Sequence, residues 1–185
     1  HIPLATLADD VAIITAVSPS KTFNIPGLGL SCLIVDNAQQ RKTINAVFER
    51  LHINACNPFS ITAFEVAYRG GEDWLDELII YLDETRQQVN DFIDEYLPKI
   101  KLIPSQGSYL LWLDCRFMGL KDGELKQIFV NDAKVGLNPG VSFGDGGSGF
   151  MRLNIASPRT TIMRALNNIK RALHESSFLT QRRKR

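Results

Sequence analysis

Residues 18–27 read Ser18-Pro19-Ser20-Lys21-Thr22-Phe23-Asn24-Ile25-Pro26-Gly27. They place a single lysine in a short polar loop, directly after the apolar run Val11-Ala12-Ile13-Ile14-Thr15-Ala16-Val17. An uncharged run of this kind, rich in β-branched residues, predicts a buried strand. The carboxyl end of such a strand is where α/β folds place their pockets. A lysine partly withdrawn from water there loses its proton more readily, and the neutral amine attacks carbonyls, which is the chemistry of a Schiff-base lysine. The flanking Ser18 and Ser20 offer hydroxyls to a phosphate. By the local pattern alone, a solvated lysine in an ordinary loop is the simpler reading.

Working outward, Ser31-Cys32-Leu33-Ile34-Val35 predicts a second buried strand, ended by Asp36-Asn37. Residues 38–51 predict a helix with Ile44, Val47, Phe48 and Leu51 on one face. Asn57-Pro58 is a helix start, since Asn caps free amide donors and Pro suits the first turn. That helix is expected to reach about Tyr68 and to stop at Gly70-Gly71. The longest helix is expected over 73–97, where Leu75, Leu78, Ile79, Leu82, Val89, Phe92, Ile93 and Tyr96 recur at helical spacing. Thr85-Arg86-Gln87-Gln88 interrupts that apolar face, and Pro98 ends the helix.

The remainder predicts a small α/β domain: a strand at 108–113, a helix at 122–133, an irregular stretch at 135–143 turned by Pro139-Gly140, and a strand at 150–156. Ser157-Pro158 is expected to cap a final helix with Ile162, Leu166, Ile169 and Leu173 facing inward.

A chain of 185 residues, 44% hydrophobic, is long enough to bury a core. Its net charge is +1, and −3 without Arg182-Arg183-Lys184-Arg185, so the body carries no basic surface. The expectation is no nucleic-acid partner and no membrane partner, with the tail a solvated terminus. Cys32, Cys56 and Cys115 are odd in number and far apart, and the three histidines do not cluster. No metal-ligand spacing is present, and reduced cysteines of this kind suit a cytoplasmic protein. No apolar run approaches membrane-spanning length.

A second chemical element is Arg152, set between Met151 and Leu153 in an otherwise apolar strand. A guanidinium there needs solvent or a partner, and arginine suits a two-pronged grip on a carboxylate. By periodicity alone, a salt bridge or an exposed edge is the simpler explanation. Arg159 is its rival, but it lies in a first helical turn, where positive charge opposes the macrodipole and calls for a compensating partner. The cluster Gly144-Asp145-Gly146-Gly147-Ser148-Gly149 leads into a strand rather than a helix, so it reads as a turn, not a phosphate cradle.

The segment Ser18-Pro19-Ser20-Lys21-Thr22-Phe23-Asn24-Ile25-Pro26-Gly27-Leu28 resembles the lysine loop of fold-type I pyridoxal-phosphate (PLP) enzymes. More narrowly, it resembles the aminotransferase class I/II family and its cystathionine β-lyase-like C–S lyase branch. Phe150-Met151-Arg152-Leu153-Asn154-Ile155-Ala156-Ser157-Pro158-Arg159 is similar to that family's carboxyl-terminal strand-to-helix motif. Gly107-Ser108-Tyr109-Leu110-Leu111-Trp112-Leu113-Asp114 and Gly136-Leu137-Asn138-Pro139-Gly140 match further landmarks. The four motifs occur in family order and cover essentially the whole chain.

The resemblance implies an α/β fold: residues 1–72 as the end of the large PLP-binding domain, 73–97 as an interdomain helix, and 98–185 as the small carboxyl-terminal domain. It implies that Lys21 holds PLP and serves as the catalytic base, that Ser18 and Ser20 contact the phosphate, and that Arg152 binds the substrate α-carboxylate. The glycine cluster would be positional, delivering the arginine strand. A homodimer and an amino-acid substrate are implied. The expected activity is a β-lyase on L-cystathionine or a related sulfur amino acid, giving thiol, pyruvate and ammonia. The alternatives are a class I/II aminotransferase or a non-catalytic piece of this fold.

Two departures bear on this. Many aminotransferases of the fold place an arginine eight residues after the lysine, where this chain has Gly29, which suits the lyase branch. The family's acid for the pyridine nitrogen, its ring-stacking aromatic and its main phosphate loop lie upstream of the lysine, and Asp9 and Asp10 are too close to match that acid. Beginning at His1, the chain enters the family pattern midway, so it reads as the carboxyl-terminal part of a longer protein, inactive by itself.

Overall fold

The computed structural model describes residues 2–7, 11–53 and 57–182, with side chains through Glu175. His1, Asp9, Asp10, Cys56 and the tail 183–185 lie outside the described residues. The chain forms two compact units, 1–78 and 79–185.

In the first unit, β1 (Ile14–Val17) and β2 (Cys32–Val35) pair antiparallel, with Ile14 opposite Val35 and Val17 opposite Cys32. Both strands were expected to be buried, and neither is. Among the described residues of this unit, only Pro19, Val35 and Ser60 are buried. The reason is architectural. A strand is buried when layers cover both faces of its sheet, and here the sheet has two strands and leaves Ile14 and Ile34 about half exposed. Helix α1 (Ala38–Arg50) starts at Asn37, whose side chain accepts from the Gln40 amide. Helix α2 (Pro58–Gly70) starts at Asn57, which accepts from the Phe59 amide, with Pro58 in the first turn as the sequence predicts.

Helix α3 (Glu72–Tyr96) contains the boundary between the units. Its apolar face is not interrupted at 85–88, because Thr85 is fully buried. The Thr85 hydroxyl donates to the Tyr81 carbonyl one turn back, so a polar residue occupies a core position without a loose donor.

The second unit is an antiparallel sheet backed by helices. Strands β3 (Lys101–Leu102), β4 (Leu110–Asp114), β5 (Asn138–Pro139) and β6 (Phe150–Asn154) run in the spatial order β3-β4-β6-β5. β3 and β5 are too short to show periodicity, and β5 falls within the stretch expected to be irregular. Leu111 and Leu113 of β4, and Met151 and Leu153 of β6, point into one core with Val89, Ile93, Leu125, Phe129, Leu166 and Ile169. Side chains alternate along a strand, so Trp112 and Arg152, cross-strand partners, share the opposite face. Helix α4 (Asp122–Lys126) continues as wider π-helical turns over Gln127–Asp132.

Helix α5 (Arg159–Arg182) begins directly after Pro158 and buries Ile162, Leu166 and Ile169, whereas Leu173 packs against the core only partly buried. The Arg159 amide is met by the Tyr81 hydroxyl at 2.6 Å. No helix among the described residues is long and apolar enough to cross a membrane.

Candidate active site

The lysine loop is built by local bonds. The Phe23 amide donates to the Pro19 carbonyl (2.9 Å) and the Ile25 amide to Ser20 (3.1 Å), coiling the chain around Lys21. Ser18 and Ser20 hydroxyls lie 2.5 Å apart, and Ser18 Oγ also donates to the Leu30 carbonyl at 3.1 Å. The two hydroxyls and the lysine thus sit on one turn. Downstream, Phe23 stacks on Trp74 and meets Tyr68 edge-on, both at 6.0 Å. Gly71 makes this anchoring feasible, since a Cβ there would lie 2.5 Å from the Phe23 ring. The Ser60 hydroxyl donates to the Leu28 carbonyl, tying α2 to the same loop.

Lys21 itself is exposed and has no hydrogen-bond or ion-pair partner among the described residues. The ribbon that precedes it is open, and its side chain stays in contact with solvent. Gly29 takes the left-handed conformation at φ 55°, a geometry that strains an arginine at that position.

Arg152 occupies a cradle that its sequence neighbours do not reveal. β5 sets Asn138 directly opposite it, and Arg152 Nη2 donates to Asn138 Oδ1 at 3.0 Å. The guanidinium carbon lies 4.4 Å from the Phe143 ring centroid, and Phe143 packs edge-on against Trp112 at 5.5 Å. Among the described residues no acid pairs with Arg152, so the salt-bridge reading of its position does not hold. Its Nε is buried without a hydrogen-bond partner. An unpaired buried donor on a cation is costly unless an anion meets it.

Arg159 is engaged instead. Its Nη2 reaches Glu84 Oε2 at 2.8 Å and the Tyr81 carbonyl at 3.2 Å, its Nε reaches Thr85 Oγ1 at 3.1 Å, and its guanidinium lies over the Tyr81 ring. Glu84 is the compensating partner that its place in the first turn calls for.

The glycine cluster is a backbone crossing rather than an anion cradle. A Cβ on Gly147 would lie 2.0 Å from the Gly140 carbonyl oxygen, and one on Gly140 would lie 2.1 Å from that of Gly147. Asp122 clasps the far end, accepting from Ser148 Oγ and the Gly149 amide, both at 2.8 Å. Those two bonds hold its carboxyl below the usual range. At the end of β4, the Arg116 guanidinium grips Asp114 with two bonds (2.9 and 2.7 Å) and holds its carboxyl low against the opposing cost of burial. Burial pushes the adjacent Cys115 thiol up to about 12, leaving it unreactive at neutral pH. A separate apolar cavity of about 750 Å³, lined by Leu97, Ile100, Met118, Leu120 and Lys170 among others, involves none of these groups.

Sequence reasoning singled out Lys21, Ser18, Ser20 and Arg152 and gave no weight to Asn138 and Phe143, which the fold sets against Arg152. The available signal was the Gly136–Gly140 motif, whose two-residue strand faces β6.

The chain is a mixed α/β protein with the fold of the fold-type I PLP-dependent aminotransferases. The family model for aminotransferase class I and II matches residues 1–169, and the chain belongs to that family. It is 43% identical to cystathionine β-lyase PatB of Bacillus subtilis over 175 residues, covering 94% of this chain and 45% of that protein. It is 33% identical to the protein MalY of Escherichia coli, covering 94% and 44%. Among solved structures, the PLP-bound C–S lyase of Staphylococcus hominis superposes with a TM-score of 0.83 at 34% identity, covering 94% of this chain and 42% of that one. The chain thus spans a little under half the length of these relatives.

Proposed function

We propose that these residues belong to a PLP-dependent C–S β-lyase acting on L-cystathionine or a related sulfur amino acid. The observation that carries this is the Arg152 cradle: a guanidinium anchored on one side by Asn138, faced by Phe143, with a buried Nε awaiting an anion. It fits an α-carboxylate. The named relatives, cystathionine β-lyase and C–S lyase, supply the reaction class.

The residues present also fit the cofactor. Lys21 is exposed and unpaired among the described residues, and Ser18 and Ser20 offer paired hydroxyls on the same turn for a phosphate. Bound there, PLP supplies an electron sink for the pair left when the Cα–H bond breaks. Lys21 would hold the cofactor by its aldehyde, and its amine would be the base that takes the α-proton. Arg152 fixes the substrate by its carboxylate and so orients the Cα–H bond. Loss of the β-carbon's sulfur as thiolate, with one water consumed, gives thiol, pyruvate and ammonia.

In this reading, residues 1–72 end the large cofactor domain, α3 connects, and 98–185 form the small domain. The exposed Phe59, Val66 and Trp74 of the first unit favour burial against further protein, in keeping with a homodimer. A cytoplasmic location accords with the buried reduced Cys115.

The test is Lys21→Ala in the whole protein, with cystathionine as substrate. Pyruvate and thiol release should vanish, and borohydride should no longer fix PLP to the peptide containing residue 21. Turnover surviving in the variant refutes the assignment. Consumption of an added 2-oxo acid without free ammonia would make the enzyme an aminotransferase.

A further inference from the structure

Arg152 must be held in one orientation to read a carboxylate, yet it must not be neutralised by what holds it. A long, rotamer-rich side chain loses entropy when fixed, and the binding partner meets that cost unless the protein has already fixed it. Asn138 satisfies both demands. β5–β6 pairing sets it directly opposite Arg152, and its carbonyl oxygen accepts from Nη2 at 3.0 Å. An amide oxygen orients a guanidinium as a carboxylate would, but carries no net charge. On the other side, the Phe143 ring meets the guanidinium face 4.4 Å from its centroid and is itself braced by Trp112. Neither support bonds Nε, which stays buried without a partner among the described residues. The geometry points to Asn138 as the positioning residue for substrate-carboxylate recognition: a neutral amide that pre-orients Arg152 while leaving its charge for the substrate. This rests on the reading of Arg152 as the carboxylate site.

The experiment uses the whole holoenzyme, with steady-state β-elimination of L-cystathionine for wild type, Asn138→Ala, Asn138→Asp and Arg152→Ala. The dissociation constant of 3-(methylthio)propanoate, a carboxylate lacking the reactive amine, is measured by calorimetry. Asn138 is exposed, so these changes leave the fold intact. Asn138→Ala should raise KM about tenfold, the scale of one hydrogen bond to a charged group, with kcat within about twofold. Asn138→Asp keeps the hydrogen bond but competes with the substrate, so it should raise KM further, by about thirtyfold or more, while melting no lower than wild type. The propanoate dissociation constant should follow KM.

Asn138→Asp behaving as wild type would reduce the contact to a structural hydrogen bond and overturn the inference. So would KM unchanged in both Asn138 variants while Arg152→Ala binds substrate poorly. An unchanged KM in Arg152→Ala would instead sink the reading of Arg152 itself.

Discussion

Gly147→Ala adds one methyl group at the point where two backbone segments cross. Its Cβ would sit 2.0 Å from the Gly140 carbonyl oxygen and 2.4 Å from the Gly140 carbonyl carbon. Ordinary contact begins near 3.4 Å, so the chains must part by more than 1 Å. The obstacle is main chain, and no rotamer change relieves it. Separation pulls on the turn closed by the Gly147 amide to the Gly144 carbonyl at 2.9 Å, and on the Asp122 clasp that follows. Overpacking of a fixed site costs about 1–3 kcal/mol, and with no soft neighbour the expected loss is about 3 kcal/mol. Gly146→Ala, one residue away with nothing within 4 Å, is the control. It should change stability by no more than about 0.5 kcal/mol. Urea denaturation of both variants, followed by far-UV circular dichroism at pH 7, reads the difference. Equal midpoints for the two variants would refute the close crossing. The segment leads into β6, so under the proposed role of Arg152 Gly147→Ala should also weaken substrate binding.

Thr85→Val removes the buried hydroxyl that accepts from Arg159 Nε and keeps the side chain's shape. It should cost about 2 kcal/mol in the same assay, with Thr85→Ser losing only a methyl group's worth; a Val variant as stable as wild type would show that the Arg159 contact contributes nothing. Asp114 has its folded pKa below its unfolded value, so its stabilisation is present above about pH 4 and is lost as pH falls through the folded pKa. The urea midpoint of Asp114→Asn should therefore lie below wild type at pH 7, and the two curves should converge as pH falls below about 4 and through the folded pKa. Curves that stay parallel through that range would remove Asp114 as a source of acid sensitivity.

What the sequence by itself determined is local. Asn57 and Pro58 announce their helix because capping needs only neighbours within one turn. The helical spacing of Ile162, Leu166 and Ile169 marks a buried face whatever it packs against. Lys21 with its two serines, and Arg152 in an apolar strand, stood out because charge and hydroxyls break a local pattern. Burial, by contrast, was misjudged wherever it depended on layers the pattern does not contain. Val11–Val17 has the composition of a covered strand, yet β1 lies in an open two-stranded ribbon and leaves Lys21 in solvent. Thr85 looks like a gap in an apolar stripe and proves to be core, because its hydroxyl donates to the Tyr81 carbonyl one turn back and accepts from an arginine distant in sequence. Only tertiary structure decided what surrounds Arg152. Asn138 reaches it through a two-residue strand too short to have a period, paired across a sheet edge that no local rule predicts, and Phe143 through the helical turn that follows that strand. Whether a guanidinium is tied up or left open depends on which side chains the fold brings opposite it. Those contacts span many residues of chain, beyond the reach of local periodicity.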